Sequence, residues 1–307
     1  MNMKQMHYIV TLVKEGTFSK AAEVLKISQP SLSQFVKTME TQLGVELFIR
    51  ANGSIRLTDA GKVFVEYAQK MQMMERQLYH ELDEIFEFRK GSIIVGTTPF
   101  RSVAMMPKVI SKFRAMYKGI DVIVDERGTQ ELLQGVENGE FDFCLLTLPE
   151  NSNKWISRKI MEEEVVVAVS KGSQLDQKLS EIAIVLDNRK YAAIPVKALD
   201  AEDFIMITEN QVMQRMLHTI CETYGISMKQ VARVKSLQTQ LEMVRANVGA
   251  SLLPTGIEKT GDSNAYVSYY SFVENFPRRE VVVIYRKDQK LTKPMEDLIA
   301  IMQQIDW

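Results

Sequence analysis

Residues 28–44 read SQPSLSQFVKTMETQLG, and this stretch decides what the N-terminal part of the chain is. Leu32, Phe35, Val36, Met39 and Leu43 recur at helical spacing, which predicts an amphipathic helix with one apolar stripe. Ser28 stands at the N-cap position. Gln29 and Pro30 fall in the first turn, where a missing N–H costs nothing because the first helical donors have no partner. Ser31, Ser33, Gln34, Lys37, Thr38 and Thr41 gather largely on the other side, a hydrogen-bonding face with one cation and no carboxylate. Such a face suits base edges and phosphates in a major groove. A solvated helix face is the plainer alternative.

Upstream, Met6, Ile9, Val10 and Val13 mark a first amphipathic helix that Gly16 stops. Ser19 is the expected N-cap of a short second helix that buries Ala21, Ala22 and Leu25, and a tight turn through Lys26-Ile27-Ser28 leads into the third. Together these describe a helix-turn-helix whose second member, residues 29–43, enters the groove. Downstream, extended runs at 45–50 and 55–58 flank Asn52-Gly53, a strong hairpin signal. Arg50 and Arg56 border the loop, so a two-stranded wing with an arginine on each side would straddle a phosphate backbone. The first 62 residues carry eight basic and five acidic side chains, while the whole chain has 38 basic against 39 acidic.

Thr58 is the expected N-cap of a helix that meets no proline before Gly91. Within it Phe64, Tyr67, Met71, Met74, Leu78, Leu82 and Ile85 follow steps of three and four, close to a heptad seam. At 1.5 Å per residue the span 59–88 reaches about 45 Å. A helix of that length with one apolar stripe needs a partner, and a second copy of the chain is the simplest one. Packing onto its own C-terminal part is the alternative.

At 307 residues the chain suggests two folding units, and 46% hydrophobic with 25% charged residues describes an ordinary folded protein. Cys144 and Cys221 stand far apart among apolar or small neighbours, which reads as reduced structural thiols. The apolar stretch at 8–13 contains Thr11 and ends at Lys14-Glu15, too short for a signal segment, and the run 165–169 is far short of the roughly 20 residues of a membrane span. The expected location is the cytoplasm, away from any membrane.

Beyond Gly91 strands and helices alternate: strands at 92–96, 121–125 and 141–146 with helices at 103–117 and 131–138 between them. That is βαβ arithmetic and implies a parallel sheet. A second set follows, with strands at 164–169, 192–196, 250–253 and 281–285 and helices at 211–224 and 238–246. Two small α/β lobes fit this better than one.

These residues together resemble the LysR-type transcriptional regulators. The likeness is dense through Phe18-Ser19, Ala21-Ala22, Leu25, Ser28 to Ser33, Met39-Glu40, Leu43-Gly44-Val45, Leu47-Phe48, Arg50, Leu57-Thr58 and Gly61. It continues more sparsely through Gly96, Pro107, Phe113, Gly119, Gly135, Gly139, Asp142, Gly225, Ser236-Leu237, Gly249 and Leu253-Pro254. The resemblance implies an α/β protein with an N-terminal winged helix-turn-helix (1–58), a linker and dimerisation helix (59–91) and a two-lobed α/β effector domain (92–307) like a periplasmic binding protein. Lobe I would comprise 92–163 and 269–307, and lobe II 164–268, with crossings near 162–164 and 268–272. The triple glutamate Glu162-Glu163-Glu164 is then a hinge approach, or else a solvated charge run.

The same likeness implies a homotetramer, a dimer of dimers, on a double-stranded operator with an interrupted inverted repeat, with RNA polymerase as a further partner. The DNA-contacting residues would be Ser28, Gln29, Pro30, Ser31, Ser33, Gln34, Lys37, Arg50 and Arg56. Carried over position by position, the effector site is Thr98, Phe100, Arg101, Thr129, Thr147 and Thr208. Hydroxyls at strand exits and free N–H groups at helix N-termini suit a small polar ligand, and Arg101 adds a cation, so the expected effector is a small organic anion with an apolar body. Phe100 departs from the small or hydroxylated residue of many relatives.

No cofactor is called for and the catalytic inventory is thin. Residues 256–261 imitate a phosphate-binding loop, yet Asp262 occupies the lysine position and would repel phosphate. His7, His80 and His218 lie in separate segments with no cysteine at ligand spacing, so no metal site is expected. The other class in contention is a soluble solute-binding or enzyme-like α/β protein whose N-terminal helices serve only assembly. Steep loss of DNA retention with salt separates the two, because phosphate contacts release counterions.

Overall fold

The computed structural model describes residues 3–51, 54–85, 91–148, 154–208, 211–260 and 263–305. The Asn52-Gly53 turn, the continuation of the long helix at 86–90, and Gly261-Asp262 lie outside those residues, as do the side chains of Arg50, His80 and Ile85. The chain divides into two compact units, Met1–Gly91 with Gln134–Phe141, and Ser92–Leu133 with Asp142–Trp307.

The first unit holds α1 (Met3–Glu15), α2 (Phe18–Val24), α3 (Gln29–Leu43), β1 (Phe48–Ala51), β2 (Ser54–Leu57) and α4 (Asp59–Ile85). Ile9, Leu12, Ala21, Ala22, Leu32, Val36 and Met39 meet in one core, where alanines on α2 let its neighbours approach closely. The cap of α2 is Thr17 rather than Ser19: Gly16 ends α1 in the left-handed region, and Thr17 Oγ1 at once accepts from Lys20 N, leaving Ser19 inside the first turn. Ser28 caps α3 as expected, its Oγ accepting from Ser31 N at 3.2 Å.

Two devices fix the wing. Glu40 on α3 accepts from the backbone N–H of Leu47 and Phe48 at 2.8 and 3.1 Å. Gly61 lies so close to Leu47 that an added Cβ would meet its carbonyl oxygen at 2.1 Å, which excludes any side chain there. Thr58 Oγ1 accepts from Gly61 N at 2.9 Å and starts α4. The first wing strand is shorter than the extended run 45–50 and the second is shifted by one residue from 55–58, and their register pairs Ile49 with Arg56 and Arg50 with Ile55.

In the second unit the chain runs β3 (Gly91–Thr97), α5 (Pro99–Met116), β4 (Ile120–Glu126), α6 (Thr129–Glu137, which spans the boundary between units), β5 (Phe143–Thr147), β6 (Trp155–Glu163), β7 (Val165–Ser170), α7 (Gln174–Ile182), β8 (Ala193–Ile194), β9 (Asp203–Ile207), α8 (Gln211–Tyr224), β10 (Lys229–Val234), α9 (Leu237–Arg245), β11 (Ser251–Pro254), α10 (Ser263–Tyr266), β12 (Val267–Phe272), β13 (Arg279–Arg286) and α11 (Lys293–Gln304). One sheet has the order β4-β3-β5-β13-β6, a second β11-β7-β12-β8, and β9 pairs with β10 in parallel.

Neither larger sheet is purely parallel. β3 and β5 are parallel, but β13 returns antiparallel between β5 and β6. The chain passes from the five-stranded to the four-stranded sheet at Glu164, between β6 and β7. The expected return near 268–272 is displaced: β12 pairs with β7 and β8 along Val267–Phe272, so the passage back lies between Phe272 and Arg279. The strand belongs with lobe II because Val267, Tyr269, Tyr270 and Phe272 bury their side chains in that lobe's two core clusters.

Candidate nucleic-acid interface and ligand cleft

On α3 the side chains of Gln29, Gln34 and Lys37 are exposed, and among the described residues none has an intramolecular partner. Pro30 and Ser31 are exposed as well and Ser33 is half-buried, while the Ser31 hydroxyl lies 2.6 Å from Ser28 Oγ. Thr38 and Thr41 spend their hydroxyls on the carbonyls of Gln34 and Lys37 one turn back. The exposed side chains of this face left without an intramolecular partner are therefore Gln29, Gln34 and Lys37. Arg56 on β2 is exposed beside them in sequence order, and Arg50 stands opposite Ile55 in the hairpin register.

The seam of α4 is bare. Val65 and Ala68 face the unit's own core, but Tyr67, Met71, Met74, Leu78 and Leu82 are 40 to 65% exposed. Contacts to the 134–141 segment leave that stripe uncovered, since they come from Gln69 and Arg76: Arg76 Nη1 donates to the Glu140 carbonyl at 2.9 Å. Phe64 is half-buried against the helix-turn-helix core.

In the second unit Thr98 and Thr129 follow β3 and β4 and Thr147 ends β5, three neighbours in one sheet, and Arg127 N donates to the Thr97 carbonyl, drawing the first two loops together. Thr98 holds the N-cap position of α5 in extended conformation, yet its hydroxyl makes no capping bond. It is half-buried and available. Thr129 is exposed at the start of α6. Thr208 lies on the separate β9–β10 pair, where its Oγ1 donates to the Val234 carbonyl at 3.1 Å.

Arg101 differs most from expectation. It is buried, and it donates to both oxygens of Glu163 at 3.0 and 3.1 Å and to Thr147 Oγ1 at 2.7 Å. Glu163 is 1% exposed, so the middle of the glutamate run is no solvated charge. Arg279, at the start of β13, donates to Thr147 Oγ1 at 2.9 Å and to Met213 Sδ on α8, and its Nε stands 3.4 Å from Glu163 Oε1. Burial holds the Arg279 guanidinium below its ordinary pKa, partly offset by Glu163. Two guanidiniums share one carboxylate, a formal charge of plus one. Thr147 already accepts from both, so only its O–H remains to give.

Phe100 packs its ring on the lobe II cluster around Val166, Leu253 and Ile257, with the Arg101 guanidinium 5.8 Å from its centroid. Glu164 pairs with Arg278 at 2.8 Å, tying the first passage between sheets to the second. Glu163 and Arg279 carry no local sequence signal as site residues, because their partners are 62 or more positions away. Among the described residues no group of three or more metal-ligating side chains occurs, and no helix is long and apolar enough to cross a membrane.

Comparison with known proteins agrees along the whole length. Residues 3–62 match the model of the bacterial regulatory helix-turn-helix protein, lysR family, and residues 87–306 match the LysR substrate binding domain. The uncharacterized HTH-type transcriptional regulator YcgK of Bacillus subtilis is 27% identical over 99% of this chain and 94% of its own. The transcriptional dual regulator OxyR of Escherichia coli is 25% identical over 100% and 96%. Full-length CbnR, solved in complex with its target DNA, superposes with a TM-score of 0.67 over 99% of both chains at 16% identity. These matches replace the alternative of a mere assembly module at the N-terminus. The chain belongs to the LysR family and is a DNA-binding transcriptional regulator with an effector-binding domain.

Proposed function

We propose that this regulator works in the cytoplasm as a dimer of dimers, that α3 and the wing read an interrupted inverted repeat, and that a small organic anion held between the lobes alters operator binding or geometry. Pairing through the α4 seam, contact with RNA polymerase and the absence of catalysis belong to the same reading. The observation that carries the effector site is Thr98: a half-buried hydroxyl without a capping bond, at the N-terminus of an 18-residue helix. The helix dipole and the unspent N–H groups of the first turn favour a negative group there. The surplus charge of the Arg101–Glu163–Arg279 cluster favours the same sign. Arg101 acts through this field rather than by direct contact, because it is buried and three of its five N–H donors are spent on Glu163 and Thr147.

Several relatives are hydrogen peroxide-inducible activators. A thiol sensor of peroxide needs a reactive thiolate. Here Cys144 is fully buried, and burial pushes the Cys221 thiol up from its ordinary value. We therefore favour a non-covalent effector. A thermal-shift screen of small mono- and dicarboxylates tests this, since a ligand that binds the folded state raises the melting temperature by mass action. The expected result is a carboxylate whose stabilisation disappears in Thr98→Val, with operator binding insensitive to peroxide. Peroxide-dependent operator binding that is lost in Cys221→Ser would overturn the reading.

A further inference from the structure

A cavity of about 270 Å³ lies within lobe II between α8 and the β9–β10 pair. Its floor is apolar: Phe204, Met213, Leu217, Cys221 and Leu252. The benchmark for size is an apolar cavity of about 150 Å³ that holds benzene, so this one has room for a bicyclic body. Gln214, His218, Gln230, Arg233 and Gln240 are the polar lining residues, and Gln240 and Arg233 offer the groups a ligand could use. Gln240 is 3% exposed, and its Nε2 donates to the Ile205 carbonyl at 2.9 Å while its Oε1 is buried with no partner. Buried acceptors left unpaired are few in folded proteins and ask for an explanation. At the lip stands Arg233, exposed, with one nitrogen donating to Gln230 Oε1 at 2.7 Å. His218 shares the lip and lies 3.6 Å from Glu222, and no carboxylate is among the lining residues.

We infer that this cavity is a ligand site for an amphiphilic carboxylic acid: an apolar, bicyclic-sized body on the floor, a hydrogen-bond donor toward Gln240 Oε1, and the carboxylate at Arg233. The guanidinium matches a carboxylate in charge and in planar geometry, and its remaining donors are open to solvent at the lip. The site uses none of the cleft residues Thr98, Thr129 or Thr147, so it stands or falls apart from the effector reading above. It is nevertheless within reach of the cleft, because Met213 lines the cavity and also meets Arg279. An occupant thus presses on a side chain that touches the buried charge cluster.

Three probes separate the features: indole-3-acetate has both the N–H and the carboxylate, 1-naphthylacetate only the carboxylate, and indole only the N–H. Titration calorimetry on the full-length protein is expected to give one site per chain, tightest for indole-3-acetate. Arg233→Met should weaken both acids tenfold or more and leave indole unchanged. Gln240→Leu should weaken the two N–H probes several-fold and leave 1-naphthylacetate unchanged. Cys221→Phe, which fills the floor, should abolish all three. Arg233 is exposed, so its variant decides the matter even if Cys221→Phe does not fold. No binding of any probe at millimolar concentration, or binding indifferent to Arg233→Met, would overturn the proposal. So would binding lost in Thr98→Val, which would put the probes between the lobes.

Discussion

Buried between Arg101 and Arg279, the Glu163 carboxylate balances one of two guanidiniums, and the cost of its loss follows from which charges stay behind. Glu163→Gln leaves two buried cations facing each other, and breaking a buried pair in this way costs about 3–5 kcal/mol. Adding Arg101→Met returns the cluster to its original formal charge, so the double variant should regain most of that loss. Urea midpoints of the two proteins check both statements, and a single variant as stable as the parent would show the pair to be idle. On the DNA side the roles divide differently. Gln34→Ala should erase about 1–3 kcal/mol of discrimination at one base pair. Arg56→Ala should weaken all sequences alike and reduce the salt slope of binding by about one. Binding titrations on operator variants at several salt concentrations separate the two. The α3 face was legible because helical period is a local property, readable from 15 residues. The Arg101–Glu163 pair was not: three consecutive glutamates look solvated until folding brings an arginine 62 positions away against the middle one.

At the scale of elements the long helix makes the sharpest prediction. Met71 and Leu78 are 41% and 55% exposed on a stripe that the unit's own core leaves bare. Met71→Asp with Leu78→Asp would bury unpaired carboxylates in a self-paired seam, each costing several kcal/mol, so the dimer should separate and operator affinity should fall with it. Sedimentation of the variant measures this directly, and an unchanged dimer would move the interface elsewhere. The exposed apolar stripe could be read from sequence because steps of three and four persist over several turns. Elements lacking such persistence were missed or misplaced. β12 runs Val-Ser-Tyr-Tyr-Ser-Phe, and its sheet membership depends on β7 and β8, about 100 and 78 positions upstream. β9 and β10 are short strands whose partner is each other, across an intervening helix. Helices α7, α10 and α11 were not expected, and α5 begins at Pro99 rather than at 103; the other expected starts lay within two residues, and Thr17 displaced Ser19 for a local reason, the left-handed Gly16 just before it.

Over the whole molecule the proposed effector site raises the question of how a ligand held at Thr98 would move the equilibrium of the proposed dimer of dimers. Differential affinity is the requirement, since a ligand bound equally by open and closed lobes shifts nothing. Thr98 sits on α5 in lobe I, and the next residue but one, Phe100, is packed on the lobe II cluster. The two passages between sheets are joined by the Glu164–Arg278 pair, so closure has to turn about that junction. A ligand gripping Thr98 therefore acts on a helix end that is already shared by both lobes, and Met213 on Arg279 marks a second point of contact between them. Linkage then makes effector and operator affinities reciprocal. Thr98→Val keeps the side chain's shape and deletes its hydrogen bond, so operator affinity without effector should be unchanged. The effector response should fall by about 1–3 kcal/mol, the cost of leaving a polar group on the ligand unpaired. A footprint titration with the carboxylate found in the thermal-shift screen gives both quantities from one experiment. If Thr98→Val responds like the parent, the effector site is elsewhere, and the roles proposed for Gln34 and Arg56 on the DNA are untouched.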